Sequence, residues 1–403
     1  MTSETIASEK LKIRLNDQLI NFDVEPKIVN NRTLVPIRKI FELLKIKIKW
    51  VKETKTVIGL KENTKITLRI DEETANINNK KVKLDSPPII FKGRTLVPIR
   101  FIAESTGTIV EWDSNTKTVN LLDKSIKNIN IGDSKERVLK ILGKPSRKDL
   151  SKYGFKWYIY NSDYNRYIQV GIINERVVGI YTNSNKYKIN NINIGVNRQK
   201  IHDIYGEPLK GIQKENTFYT FNSGNGEFDT FLKNGYYITI FYNINNNHKV
   251  TAFQLIEKGV EQNLKDFYGK NSEELRKSFE KQLYDLANAI RVRNGLTVFD
   301  WDEEISKTAR KHSKDMADNS YFSHINLKKE SPFDRMENDD IKFIKAAENI
   351  ATGQTSAIFA HENLLNSPGH RENILGEYDN LGVGVHFGGK FKIYYTQNFY
   401  TQD

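Results

Sequence analysis

The sequence predicts a multidomain α+β chain, with two duplicated small α/β-sheet modules followed by a C-terminal α/β sandwich. Three observations predict it. The heptapeptide Arg32-Thr-Leu-Val-Pro-Ile-Arg38 returns unchanged as Arg94-Thr-Leu-Val-Pro-Ile-Arg100, an offset of 62. Ile129-Asn-Ile-Gly132 with Leu142-Gly-Lys-Pro145 returns, at an offset of 63, as Ile192-Asn-Ile-Gly195 with Tyr205-Gly-Glu-Pro208. From Ser278 the pattern changes to long amphipathic helices and then to alternating strands.

The 403 residues, 38% hydrophobic and 11% aromatic, suffice for several cores. No run reaches the roughly 18–20 apolar residues of a membrane span, so no transmembrane segment is expected. Residues 1–10 form a polar lead-in without the apolar heart of a signal peptide. That start fits a cytoplasmic protein or an exported one whose signal has been removed, and it leaves the compartment open. The chain has no cysteine. Disulfides, thiolate metal sites and cysteine nucleophiles are therefore excluded.

Charge is unevenly placed along the chain. Residues 1–272 hold 45 Lys+Arg against 29 Asp+Glu, a net of +16, and residues 273–403 hold 17 against 21, a net of −4. A basic carrier on a mildly acidic head suggests that the carrier meets a polyanion, for which an anionic cell-wall polymer suits better than nucleic acid; a solvated lysine-rich surface is the plainer alternative. No nucleic-acid-binding module is recognisable, so no nucleic-acid partner is expected.

Residues 11–124 contain the first duplication. Each copy predicts short strands, then Leu-Val-Pro-Ile-Arg leading into a helix (37–44, 99–105) with proline in its first turn, where a missing N–H costs nothing. Trp50 maps onto Trp112, and Thr56-Val57 onto Thr118-Val119. The pattern resembles the stalk-like domain named after the copper amine oxidase N-terminal region. The resemblance implies presentation at a surface and no copper, since the first histidine of the chain is His202.

Residues 125–256 contain the second duplication. Helices are expected at 135–142 and 198–205, with Ser134 as N-cap and Gly143 or Gly206 as the stop. Stretches such as Trp157-Tyr-Ile-Tyr160 and Tyr236-Tyr-Ile-Thr-Ile-Phe-Tyr242 alternate with period two and read as strands of a small sheet on each helix. Their tyrosines suit a sheet core better than a ligand platform. Residues 257–277 are polar, partly helical in pattern, and read as a linker.

In residues 278–403, Phe279, Leu283, Leu286 and Ile290 mark a first helix ending before Asn294-Gly295. A second helix runs from about 303 to 318, entered past Trp301, and a third from about 356 to 365. Leu381-Gly-Val-Gly-Val-His386 and Phe391 to Phe399 read as two strands joined by Gly388-Gly389. Five of the seven histidines lie here. His312 and His386 read as core or near-core residues, and His361 as exposed.

Asn288-x-x-Arg291-x-x-x-Gly295, Ser323-His324, Ser331-Pro-Phe333, Glu348-Asn-Ile-Ala351, Ser367-Pro-Gly-His-Arg-x-Asn-Ile-Leu375, Leu381-Gly-Val-Gly384 and Tyr395-x-Gln397-x-Phe399 occur in that order. Together they resemble the CAP superfamily of cysteine-rich secretory, antigen 5 and pathogenesis-related proteins, in its bacterial SCP-like branch. The middle module looks like the domain that precedes CAP domains in some Gram-positive bacteria. The resemblance implies an α-β-α sandwich with a cleft of two histidines and two acidic residues. His324, Glu348 and His370 fall on three of these. The fourth does not carry over: the position of a helix tryptophan is Leu364, and three residues on stands Ser367. That leaves the site one carboxylate short, and Glu362, one turn away on the same helix, is not taken as its substitute.

His324 and His370 can supply Zn²⁺ ligands, with Glu348 as a third ligand or as the acceptor that orients one ring; the alternative is a hydrogen-bonded polar cleft that holds metal only when metal is abundant. A hydrolase reading, peptidase-like, would use Glu348 as general base on a metal-bound water or Ser367 as nucleophile beside His370. Ser367-Pro-Gly is more simply a turn ending the third helix. There is no Gly-x-Ser-x-Gly elbow and no His-Glu-x-x-His. The expectation is a ligand-binding cleft at His324, Glu348, His370 and Ser367 for a small molecule, lipid or peptide, with the metal-assisted hydrolase as the alternative.

Overall fold

A computed structural model describes residues 11–15, 18–44, 46–61, 64–105, 108–113, 116–123, 129–189 and 192–403. The polar lead-in at 1–10 and the module junction at 124–125 fall outside the described residues. The chain divides into two compact units: residues 1–128 with 189–191, and residues 129–188 with 192–403. Among the described residues no helix is long and apolar enough to cross a membrane.

In the first unit the two heptapeptides face each other. Arg32–Pro36 and Arg94–Pro98 are antiparallel strands in register Val35 to Val97, each running into a helix, Ile37–Leu43 and Ile99–Ser105. Each proline closes a strand just before the helix instead of occupying its first turn, a position that needs no N–H from it. Val35, Ile37, Ile40 and Phe41 pack with Val97, Ile99, Ile102 and Ala103 as the core, and Leu34 and Leu96 are buried as well. Trp50 and its counterpart Trp112 stay 42% and 45% exposed.

In the second unit, Ser134 caps helix Lys135–Leu142 by accepting the Arg137 N–H, and the chain leaves that helix at Gly143 with φ +79°, a left-handed value that favours glycine. The counterpart Arg198–Tyr205 ends the same way at Gly206. The expected pair of small sheets is instead one antiparallel sheet of seven strands. The last strand of the first copy, Arg176–Thr182, pairs with the last strand of the second, Lys249–Glu257, so both copies share one ladder. Their inner strands are apolar on both faces because both faces are covered. The second copy also sets aside a separate hairpin, Gly211–Lys214 with Thr217–Thr220.

The remainder is built from α1 (Glu273–Arg293), β1 (Asp300–Trp301), α2 (Glu303–Asp318), α3 (Pro332–Asn338), β2 (Lys345–Thr352), α4 (Ala357–Asn366), α5 (Pro368–Leu375), β3 (Asn380–Phe387) and β4 (Ile393–Thr401). The sheet order is β1-β3-β4-β2, with β2 at an edge. Helices α1, α4 and α5 cover one face through Phe279, Leu283, Leu364 and Ile374; α2 and α3 cover the other through Ile305, Met316 and Met336. Gly382 and Gly384 let α2 lie directly on β3, since a Cβ at Gly384 would stand 2.1 Å from the Arg310 nitrogen.

The stretch 257–277, read as a linker, contains helix Lys258–Asn263, and α1 starts at Glu273, capped by Ser272, ahead of the expected Ser278. Nor is α1 apolar along one stripe only. Phe279, Leu283 and Ile290 enter the C-terminal core, whereas Leu286 and Ala289 join a second core with Phe155, Trp157, Tyr167 and Tyr181 of the seven-stranded sheet. A helix pressed between two sheets is buried nearly all round. Asp285, on this second face, is fully buried and bound by Arg147 (2.6 Å), Asn161 (2.7 Å) and Tyr164 (2.8 Å).

Candidate functional site

The site grows from two local rules. Strand side chains alternate, so β2 sends Glu348 to the α2–α3 face and Asn349 to the α5 face. The capping box Ser331/Asp334 starts α3 and fixes Arg335 one turn inside it. Arg335 then reaches back, donating from Nη2 to Glu348 Oε2 at 2.7 Å and from Nη1 to the carbonyls of His324 (2.8 Å) and Glu330 (3.1 Å).

Glu348 is buried, with both carboxylate oxygens occupied. Its Oε1 lies 2.9 Å from His324 Nδ1. An ionised carboxylate only accepts, so Nδ1 carries the hydrogen and Nε2 is left to face outward. The His324 side chain is 47% exposed. His312 Nε2 stands 3.9 Å from the same oxygen and 3.0 Å from the Ser323 carbonyl.

On the other side of the β2 edge, Asn349 Nδ2 donates to the carbonyl of His370 (3.0 Å), and Asn373 Nδ2 donates to Asn349 Oδ1 (2.9 Å). These bonds hold the start of α5 against the strand. The pKa of His370 is lowered, first by burial and then by the neighbouring charge of His324, which makes it a neutral ring at neutral pH. His312 is lowered as well, chiefly by burial, with Glu348 opposing. A pocket of about 510 Å³ opens between α2 and α3. His312 and Arg335 line its inner end; His324, Glu348 and His370 are not in its wall.

The other expectations fare variously. Ser367 joins α4 to α5 and makes no side-chain cap bond; a helix follows it, where a turn was expected. Glu362 accepts from Tyr181 (3.0 Å) and Thr251 (2.8 Å) of the middle module. His361, expected on the surface, is fully buried, and burial with the charges of Arg293 and Arg371 lowers its pKa to about 3. The reason is that α4, like α1, is covered on two sides. His312 is buried as expected, and His386 is half-buried.

Sequence reasoning missed Arg335 altogether. The Ser-Pro-x-Asp cap announces the helix, but nothing in the pattern marks an arginine that turns inward. Its presence matters for metal. Among the described residues no group of three or more His, Asp or Glu side chains is placed to hold a metal ion. Glu348 is taken by a guanidinium and a ring N–H, leaving two imidazoles, one short of the three protein ligands of a catalytic zinc site. The residues present do not fit that centre.

The fold and the arrangement at β2 define a CAP domain, and the chain belongs to the cysteine-rich secretory protein (CAP) family, which it matches over residues 284–399. Ahead of it the chain matches the copper amine oxidase N-terminal domain over 14–121 and the CAP-associated N-terminal domain over 131–267. It is 31% identical over 287 residues to the "Uncharacterized membrane protein YlbC" of Bacillus subtilis, covering 67% of this chain and 82% of that protein. It is 40% identical over 123 residues to the "Uncharacterized protein YkwD" of the same organism, 30% of this chain and 47% of the relative. A crystal structure of an extracellular protein containing a SCP domain from Bacillus anthracis superposes with a TM-score of 0.59 at 28% identity, over 68% of this chain and 94% of the other. A cysteine-rich secretory protein from Staphylococcus aureus shares the fold at 17% identity, TM-score 0.53, over 67% and 93%.

Proposed function

We propose that the chain is an exported, surface-held CAP protein whose cleft at His324, Glu348 and His370 binds a ligand without turning it over. The observation that carries this reading is the occupation of Glu348. A general base must be free to take a proton, and this carboxylate is committed to Arg335 and His324. Ser367 has no base bonded to it that would make it a nucleophile. Around His324 the surface is apolar: Phe322 and Ile325 are 45% and 44% exposed. Such a rim favours a ligand with an apolar part. The description of the Bacillus anthracis protein as extracellular supports export.

The test is a screen of peptide, ester and peptidoglycan substrates with wild type and His324→Ala/Glu348→Ala side by side, with and without added Zn²⁺. No turnover above the double variant is expected, while ligands that bind the wild type should bind the variant more weakly. A Zn²⁺-dependent activity lost in the variant would favour the metal-assisted hydrolase.

The basic charge supports an anionic wall polymer as the partner that holds the chain at the surface. Residues 129–272 share a core with the C-terminal domain, so the carrier is tested in the whole chain. Binding to isolated Gram-positive wall should be strong at low salt and largely lost by about 0.5 M, where charges are screened within a few ångströms. Binding indifferent to salt would remove the wall polymer from the proposal.

A further inference from the structure

A cavity of about 440 Å³ lies inside the second unit, away from His324, Glu348 and His370. It is enclosed by the turn at Lys152-Tyr153, the strands Phe228–Lys233, Tyr236–Asn243 and Lys249–Glu257, the hairpin 211–220, the stretch from Glu261 to Tyr268, and the β2–α4 loop with α4 of the C-terminal domain. It therefore exists only where the middle module and the CAP domain meet, a common place for small-molecule sites. Its walls are aromatic. Phe359 meets Phe228 and Phe241 edge to face at 5.2 and 5.1 Å, and Phe221 stacks on Phe267 at 5.9 Å.

Two polar groups in this wall lack a matching protein group. Lys152 is buried, and its Nζ donates to the Phe267 carbonyl (3.0 Å) and to Thr355 Oγ1 (3.2 Å), both uncharged. Among the described residues it has no carboxylate at ion-pair distance. Its neighbour Glu261 is engaged by Lys214 (2.6 Å) and by the hydroxyl of Tyr153 (2.7 Å). Burial pulls the Lys152 ammonium down to about 8, with Glu261 opposing. The second group is Gln354, whose Nε2 donates to Asn363 while its buried Oε1 has no partner. The other acids in the lining are spoken for or wet: Glu362 accepts from Tyr181 and Thr251, and Glu227 accepts from Asn363 at the half-exposed mouth. A buried cation with no carboxylate paired to it, in a chamber with phenylalanine walls, suits an anion with an apolar body.

We propose that this cavity binds a small organic carboxylate, its apolar or aromatic body against the phenylalanine walls, its carboxylate on Lys152 Nζ, and a donor of its own on Gln354 Oε1. The site uses none of the residues of the His324 cleft, so the two stand or fall separately.

The probe pair is 1-pyrenebutyrate and its uncharged counterpart 1-pyrenebutanol, titrated by fluorescence into the full chain. The acid should bind one to one and about tenfold or more tighter than the alcohol, the worth of one charged hydrogen bond. Lys152→Met should erase that preference. Thr220→Trp, at the exposed rim and clear of the core, should close the mouth and weaken both probes, and it stands as the test if Lys152→Met fails to fold. Absence of saturable binding, equal affinity of acid and alcohol, a preference that survives Lys152→Met, or binding unmoved by Thr220→Trp would each overturn the site.

Discussion

Asp285→Ala should lower the stability of the second unit by about 3–5 kcal/mol, the usual cost of breaking a buried ion pair from one side. The carboxylate sits in α1 with no exposure, yet its partners Arg147, Asn161 and Tyr164 all belong to the middle module. Alanine would leave Arg147 with Asp149 alone and would strand the two half-buried donors Asn161 and Tyr164. Asp285→Asn, which keeps an acceptor but removes the charge, should lose less. Urea unfolding of the whole chain, followed by the emission of buried Trp157, measures it. A loss below about 1 kcal/mol would mean that water or a shifted side chain replaces the carboxylate.

Arg335→Met is expected to cost about as much, for a related reason at the cleft. Glu348 would stay buried without its counter-charge, and the carbonyls of His324 and Glu330 would lose their shared donor. The loop carrying His324 should loosen, seen as faster amide exchange over 323–330. Adding Glu348→Gln should restore more than half of the lost stability, because the second substitution removes the orphaned charge. Strict additivity of the two substitutions would show that Arg335 and Glu348 are not coupled.

His324, Glu348 and His370 could be picked out from the sequence as candidates, because each sits in a local motif. What surrounds them was not. Arg335 reaches Glu348 across 13 residues of sequence by a side-chain path that no periodicity encodes. Helix limits at Ser134, Gly143 and Gly206 were readable because capping is a local event. The merging of two copies into one sheet was not, since strand pairing between Arg176–Thr182 and Lys249–Glu257 depends on partners more than 60 residues apart. His361 was misplaced because α4 has a second cover, the middle module, and a single-domain reading of the helix assigns that face to water.

The seven-stranded sheet carries a last consequence. Arg147–Leu150 is one of its two outermost strands, and the N–H of Leu150 donates to the hydroxyl of Ser278 in α1. An open strand edge invites pairing with another chain, and natural proteins blunt such edges by covering them. Here the cover is supplied by the next domain. A middle module made without its C-terminal neighbour would present that margin bare and be prone to self-association, so inheriting the two together keeps the ladder closed to strangers.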